Sequence, residues 1–277
     1  GEEPLVTERQ TAKSPPLHGD VRNMSDRHEQ FSVGGRPRVE VTTTSGDITI
    51  REGVAGAIEV RLEGSSEQIE IEQVGDTVII GSPRRGFLRR MLSSDVRVTA
   101  PSGTDVQAHS GSGDINVDLS VAHLEAAVAS GDIRALRIEG NATIKAASGD
   151  VSLEHVAGRL ELSTASGDAR VGSVDGDLSS NTASGDLEID YAGGSAALRT
   201  ASGNLTIRRF DGEELSAKTL SGNLKVGIPP RRRIDVDVQS LSGKLRNRLP
   251  EGDGSPPEAE IVLRANSVSG DVTLQGV

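Results

Sequence analysis

The chain has 277 residues, a formal net charge of −11 and a pI near 5.0, with aromatic side chains at only 1% and no cysteine. The acidic balance and missing aromatics exclude the basic, stacking face by which proteins usually hold nucleic acid. The missing thiols exclude disulfides, thiolate metal centres and cysteine nucleophiles. A core must therefore come from Val, Leu, Ile and Ala, without the aromatic rings that usually dominate one, and so be thin and regular.

In chain order, residues 1–30 are polar, carry Pro15-Pro16 and lack the apolar centre of a signal peptide. They read as a disordered leader or tag, with Met24 as a natural start. Nowhere do about 18 apolar residues run together, so no helix is expected to span a bilayer. Residues 31–111 read as an irregular β region at the N-terminal end of a solenoid. AIEVRLEG (57–64), EQIEIEQ (67–73) and DTVIIG (76–81) alternate like hairpin strands. Between them and the lead-in VRVTAPSGTDVQAHSGSG (96–113) lies PRRGFLRRMLSS (83–94). There Arg84, Arg85, Arg89 and Arg90 surround Phe87, Leu88, Met91 and Leu92. Two readings stay open for it: a short helix that plugs the open end of the solenoid, or a contact with anionic lipid or an acidic partner.

Residues 112–277 carry the repeat. Ser-Gly pairs start at Ser112, Ser130, Ser148, Ser166, Ser184 and Ser202, each 18 apart, and continue less evenly at Ser221, Ser242 and Ser269; Ser45-Gly46-Asp47 is an isolated earlier copy. Each 18 divides in two, as SGDVSLEHV (148–156) and AGRLELSTA (157–165), with aliphatic residues at the fourth and sixth places of each half: Val151, Leu153, Leu160 and Leu162. Such alternation is a strand with one buried face. A fixed period over many copies is a solenoid, in which coils bury one another's edges. The hexapeptide β-helix also uses 18 residues per coil but needs an aliphatic residue every six. Here Glu139, Ala157, Asp175 and Gly193 occupy that place. The expected fold is all-β: a single-domain parallel β-solenoid of turn–strand–turn–strand coils with two narrow sheets. IPPRRR (228–233) and LPEGDGSPPEAE (249–260) read as loop insertions, and VTLQGV (272–277) as the strand closing the far end.

Gly113, Gly131, Gly149, Gly167, Gly185 and Gly203 then mark corners that need positive φ or close backbone approach. Stacking places Asp114, Asp132, Asp150, Asp168 and Asp186 in a column at ~4.8 Å spacing. Each Asp either caps backbone N–H groups in its own turn or shares a calcium ion with its neighbours. The capping reading is preferred: calcium-binding nonapeptide rolls use GGxGxD, absent here, and the column continues as Asn204, Asn223 and Lys244.

The tandem SGD[IVL]x[VIL] units resemble those of the bacterial "putative adhesin" family of unknown function. So do the lead-in DVRVTAPSGTDVQAHSGSGDI and the late segments IDVDVQSLSGKLRNRLP and EIVLRANSVSGDVTL. The resemblance covers residues 31–277. It implies a β-solenoid and brings no catalytic signature with it.

Chemistry is otherwise sparse. His18, His28, His109, His123 and His155 show no metal-ligand spacing. No GxSxG elbow or S-x-x-K stands among the serines, and SGSGD (110–114) lacks the lysine of a phosphate-binding loop. No catalytic, metal or cofactor residue is therefore assigned. The expected function is a non-enzymatic structural or interaction protein presenting a repetitive surface to an unknown protein or glycan, with no nucleic acid. A cell-surface adhesin or carbohydrate binder, and a cytosolic protein touching anionic membrane through residues 83–94, are the alternatives. The expected location is cytoplasmic, with the cell surface or secretion as the alternative.

Overall fold

In the computed structural model, the residues described are 27–64, 69–81, 94–230, 232–249 and 259–277. They form twenty-four strands and no helix. The N-terminal strands are β1 (Arg27–Ser32), β2 (Arg38–Ser45), β3 (Ile48–Glu52), β4 (Ala57–Gly64), β5 (Glu70–Val74), β6 (Thr77–Gly81), β7 (Ser94–Ala100) and β8 (Thr104–Ser112). The coil strands are β9 (Ile115–Ser130), β10 (Ile133–Ile138), β11 (Ala142–Ser148), β12 (Val151–Val156), β13 (Leu160–Ser166), β14 (Ala169–Val174), β15 (Leu178–Ser184) and β16 (Leu187–Ala192). They continue as β17 (Ala196–Ser202), β18 (Leu205–Phe210), β19 (Glu214–Ser221), β20 (Leu224–Ile228), β21 (Arg232–Ser242), β22 (Leu245–Arg248), β23 (Ala259–Ser269) and β24 (Val272–Gly276).

The strands stack as two parallel faces of one solenoid. The first face runs β7–β3–β9–β10–β12–β14–β16–β18–β20–β24–β22. The second runs β6–β2–β8–β9–β11–β13–β15–β17–β19–β23–β21. Sixteen-residue β9 belongs to both, its first half on one face and its second half on the other. At the N-terminal end each face finishes in antiparallel strands, β4 and β1 on the first and β5 on the second.

The expected all-β solenoid of two-strand coils is what the chain forms. Its aliphatic interior holds the fourth- and sixth-place residues in register, for example Ile133, Val151, Ala169 and Leu187, all essentially inaccessible. The ninth place of the first half-coil is also buried, through Ile138, Val156, Val174 and Phe210. This widens the interior beyond two columns. On the second face the eighth place points inward as a hydroxyl-bearing file, Thr164, Thr182, Thr200, Thr219 and Ser267. Thr164 donates to Thr182 at 3.2 Å, while the buried Thr200, Thr219 and Ser267 hydroxyls have no partner among the described residues.

Several expectations need correction. Strand β1 starts at Arg27, inside the segment 1–30 read as leader; residues 1–26 lie outside the described residues. VTLQGV does not close the end: β24 lies between β20 and β22, and β23 between β19 and β21, so the end coil is β21–β22. The chain thus reaches the last coil with β21 and β22 before β23 and β24 fill the one before it; residues 250–258 of the LPEGDGSPPEAE segment lie outside the described residues. IPPRRR is not a loop throughout, because Ile228 ends β20 and Arg232 and Arg233 open β21. Of the basic-apolar segment 83–94, only Ser94 is among the described residues. Arg84, Arg85, Phe87, Leu88, Arg89, Arg90 and Met91 lie outside them.

Candidate functional site

The Ser-Gly-Asp corner carries the chain from the second face to the first, and two demands meet there. Gly149 has φ +125°, and a Cβ on it would sit 2.0 Å from the Gly131 carbonyl oxygen of the preceding coil. The opposite corner makes only the second demand: Gly158 has no positive φ, yet its Cβ would meet Gly140 O at 2.6 Å. The Asp column behaves differently from a set of self-contained turns. Each Oδ1 accepts the backbone N–H of the equivalent residue one coil on, Asp132 from Asp150, Asp150 from Asp168 and Asp168 from Asp186, each at 2.9 Å. Asp114 accepts from Asp132 at 2.8 Å and Asp186 from Asn204 at 2.8 Å. The capping is thus between coils rather than within one turn, and it explains why Asn204 and Asn223 substitute freely: an amide oxygen accepts the same bond. Among the described residues, no three His, Cys, Asp or Glu side chains gather as a metal site.

Register brings together one group that reading the sequence linearly missed. His155 Nδ1 lies 2.7 Å from Ser173 Oγ, and its Nε2 lies 3.6 Å from Asp175 Oδ2. Ser173 stands opposite His155 because strands β12 and β14 stack 18 residues apart; writing the sequence in rows of 18 would have shown it. A hydroxyl, an imidazole and a carboxylate in this order form a nucleophile arrangement that draws much of its power from donors for an oxyanion, and Tyr191 stands next to Ser173 in register. Strand β14 is laddered on both sides, and the Asp175 N–H donates to Val156 O, so the sheet has already used the neighbouring backbone donors. His123, by contrast, pairs with Asp105 at 2.8 Å.

The outer surfaces of the two faces differ. The first carries arginine–carboxylate pairs: Arg134 with Asp132 at 2.7 Å, Arg137 with Glu139 at 2.6 Å, and Arg208 with Glu188 and, at 3.1 Å, Asp190. Hydrogen bonds from Arg137 and Ser120 hold the Glu139 carboxyl below the ordinary glutamate range, and Glu139 in turn raises the Arg137 guanidinium.

The second face carries a groove of about 1270 Å³ that crosses strands β9, β11, β13, β15, β17, β19, β23 and β21. One wall is the exposed column that precedes the corner: Ala147, Ala165, Ala183 and Ala201, enlarging to Leu220, Val268 and Leu241. Those three large side chains are 60%, 45% and 85% exposed, and they are three of the eight exposed large hydrophobics among the described residues. The other wall, two places earlier on each strand, runs Ala127, Lys145, Ser163, Asn181, Arg199, Lys218, Asn266 and Gln239. It holds three cations and no acid. Arg199 and Lys218 are direct partners in register. The ion pairs among the described residues leave out all three. The groove was invisible as a motif because its walls are single residues 18 apart; folding the sequence on that period is the signal that would find it.

A family model described as Toastrack DUF4097 matches residues 36–275. No curated protein matches the sequence. Among solved structures, the chain is similar to a "putative lipid binding protein" from Parabacteroides distasonis ATCC 8503, with 14% identity and a TM-score of 0.43, covering 91% of this chain and 97% of that one. It is also similar to a "putative adhesin" from Bacteroides fragilis NCTC 9343, with 12% identity, a TM-score of 0.41 and coverage of 91% and 97%. A "putative adhesin" from Parabacteroides merdae ATCC 43184 follows at 11% identity, a TM-score of 0.32 and coverage of 91% and 97%. At identities and scores this low, nothing functional rests on these likenesses.

Proposed function

The chain belongs to the Toastrack DUF4097 family, and from that premise we propose that it is a non-enzymatic interaction protein whose working surface is the groove of the second face. The observation that carries this reading is the wall of three cations without ion-pair partners beside a continuous apolar wall. Cations that form no ion pair within the described residues remain free to meet a partner's charge. The non-enzymatic part is supported by the Ser173–His155–Asp175 group, whose neighbouring backbone donors are engaged in the sheet.

A photo-crosslinking residue placed in native cells tests the reading. Substituted at Ala183 in the groove it should give adducts, and at Arg170 on the first face it should give few. Equal yields at the two positions, or adducts at Arg170 alone, would remove the groove from the account. A cytoplasmic location is part of the proposal. Protease added to intact native cells should leave the chain whole until lysis, and earlier degradation would bring surface adhesion forward instead.

A further inference from the structure

We infer that the groove takes the aliphatic tail of a single-chain anionic amphipath, with the charged head against Arg199 and Lys218. This rests on the reading of the groove as the working surface, and adds the chemistry of what fills it.

Three features select this ligand class. The first is the floor. The segments of β9, β11, β13, β15, β17, β19 and β23 that cross the groove are laddered on both sides. They offer no free backbone N–H or C=O for strand addition, so an extended peptide would lie there with its own backbone groups unpaired by the sheet. A hydrocarbon chain needs no such partners. The second is length. Eight strands at ~4.8 Å spacing give a channel of roughly 34 Å, and 1270 Å³ exceeds the roughly 300–1,000 Å³ typical of compact small-molecule pockets. The site suits a long, thin molecule, and the alanine methyls leave its course open until Leu220, Val268 and Leu241 provide a larger apolar surface.

The third is charge. Arg199 and Lys218 stand side by side on neighbouring strands, exposed and without a carboxylate. Two like charges so placed repel each other, and one anion between them satisfies both. The corner carboxylates lie three residues beyond the alanine wall, with their Oδ1 atoms accepting backbone N–H bonds. A negative head is therefore drawn to the cationic wall and its tail to the opposite one.

The test is displacement of a fluorescent C12 carboxylate from the purified full chain by dodecanoate, dodecanol and hexaglutamate, all below micellar concentration. Dodecanoate should displace it saturably and roughly fivefold or more better than dodecanol, the difference expected from one or two exposed charge contacts. Arg199→Gln with Lys218→Gln should bring dodecanoate down to the level of dodecanol. Ala165→Leu, Ala183→Leu and Ala201→Leu together should abolish both, with thermal unfolding unchanged because all three side chains face solvent. No saturable displacement by dodecanoate, full binding in the leucine variant, or equal displacement by hexaglutamate would overturn the inference. If that happens while the crosslinker at Ala183 still yields adducts, only the ligand class is wrong. If both fail, the groove reading fails with it.

Discussion

The two faces are built from half-coils of the same length, stacked at the same spacing over one shared interior, and they spend their surface charge in different ways. On the first face Arg170 and Arg208 both approach Glu188, and Arg209 meets Asp211 at 3.0 Å. The second face also pairs Arg264 with Glu214 and Arg233 with Glu260. Among the described residues each face leaves cations unpaired, Lys225 and Arg248 on the first and Lys145, Arg199 and Lys218 on the second, but only the last three line the groove. Nothing in the coil geometry demands this difference, since both outer columns point away from the core. In a repeat fold the inward and corner positions answer to packing, and the outward ones are free to answer to something else. Where they are paired they explain themselves. Where they are not, they point outside the chain.

The change that should break both faces at once is at the corner they share. Gly149→Ala places a Cβ against the Gly131 carbonyl and forces a side chain onto φ +125°. Backbone strain and overpacking together should cost about 3 kcal/mol or more, measured by urea unfolding. A loss under about 1 kcal/mol would mean that the stack relaxes easily. Asp150→Ala removes the acceptor for the Asp168 N–H and should cost about 1 kcal/mol. Asp150→Asn should cost almost nothing, as Asn204 and Asn223 already hold the same place. Millimolar calcium should leave the unfolding temperature of the native chain unchanged; a rise that depends on Asp150 would show instead that the column binds the ion.

On the first face, Glu188→Gln breaks contacts with two arginines and should cost about 0.5 kcal/mol, less at high salt. The smallest effect concerns Glu139. Its carboxyl is held below the ordinary range by Arg137 and Ser120. The stabilisation is therefore complete above the ordinary glutamate range and disappears as the pH falls through the lower folded value. Unfolding temperature followed against pH should fall more for the native chain than for Glu139→Gln across that acidic window. Parallel curves would show that the pair contributes nothing.

Much of the fold was legible because backbone geometry wrote it into the sequence. Only glycine suits the close, positive-φ corner at Gly149, so the 18-residue period survives in the letters, and Val151, Leu153, Leu160 and Leu162 follow from it. The ninth-place aliphatics such as Val156 and Phe210 were less visible, because they lie where the strand meets the second corner and break strict alternation. The inward threonines were hidden by their polarity. The order of the last coils could not be read, since β23 and β24 return past β21 and β22 and only pairing reveals it. The groove was harder still: Ala165 and Ala183 read as filler before a turn until stacking puts them in one wall.

The most direct test of the contrast between the faces is thermal unfolding of the triple variant Lys145→Gln, Arg199→Gln, Lys218→Gln beside the native chain, at low and high salt. If these cations are held for a partner, the variant should be as stable as the native chain, or more stable by a few tenths of a kcal/mol at low salt as repulsion is removed. A loss of more than about 1 kcal/mol would show that they serve the fold, and would contradict the account at its centre.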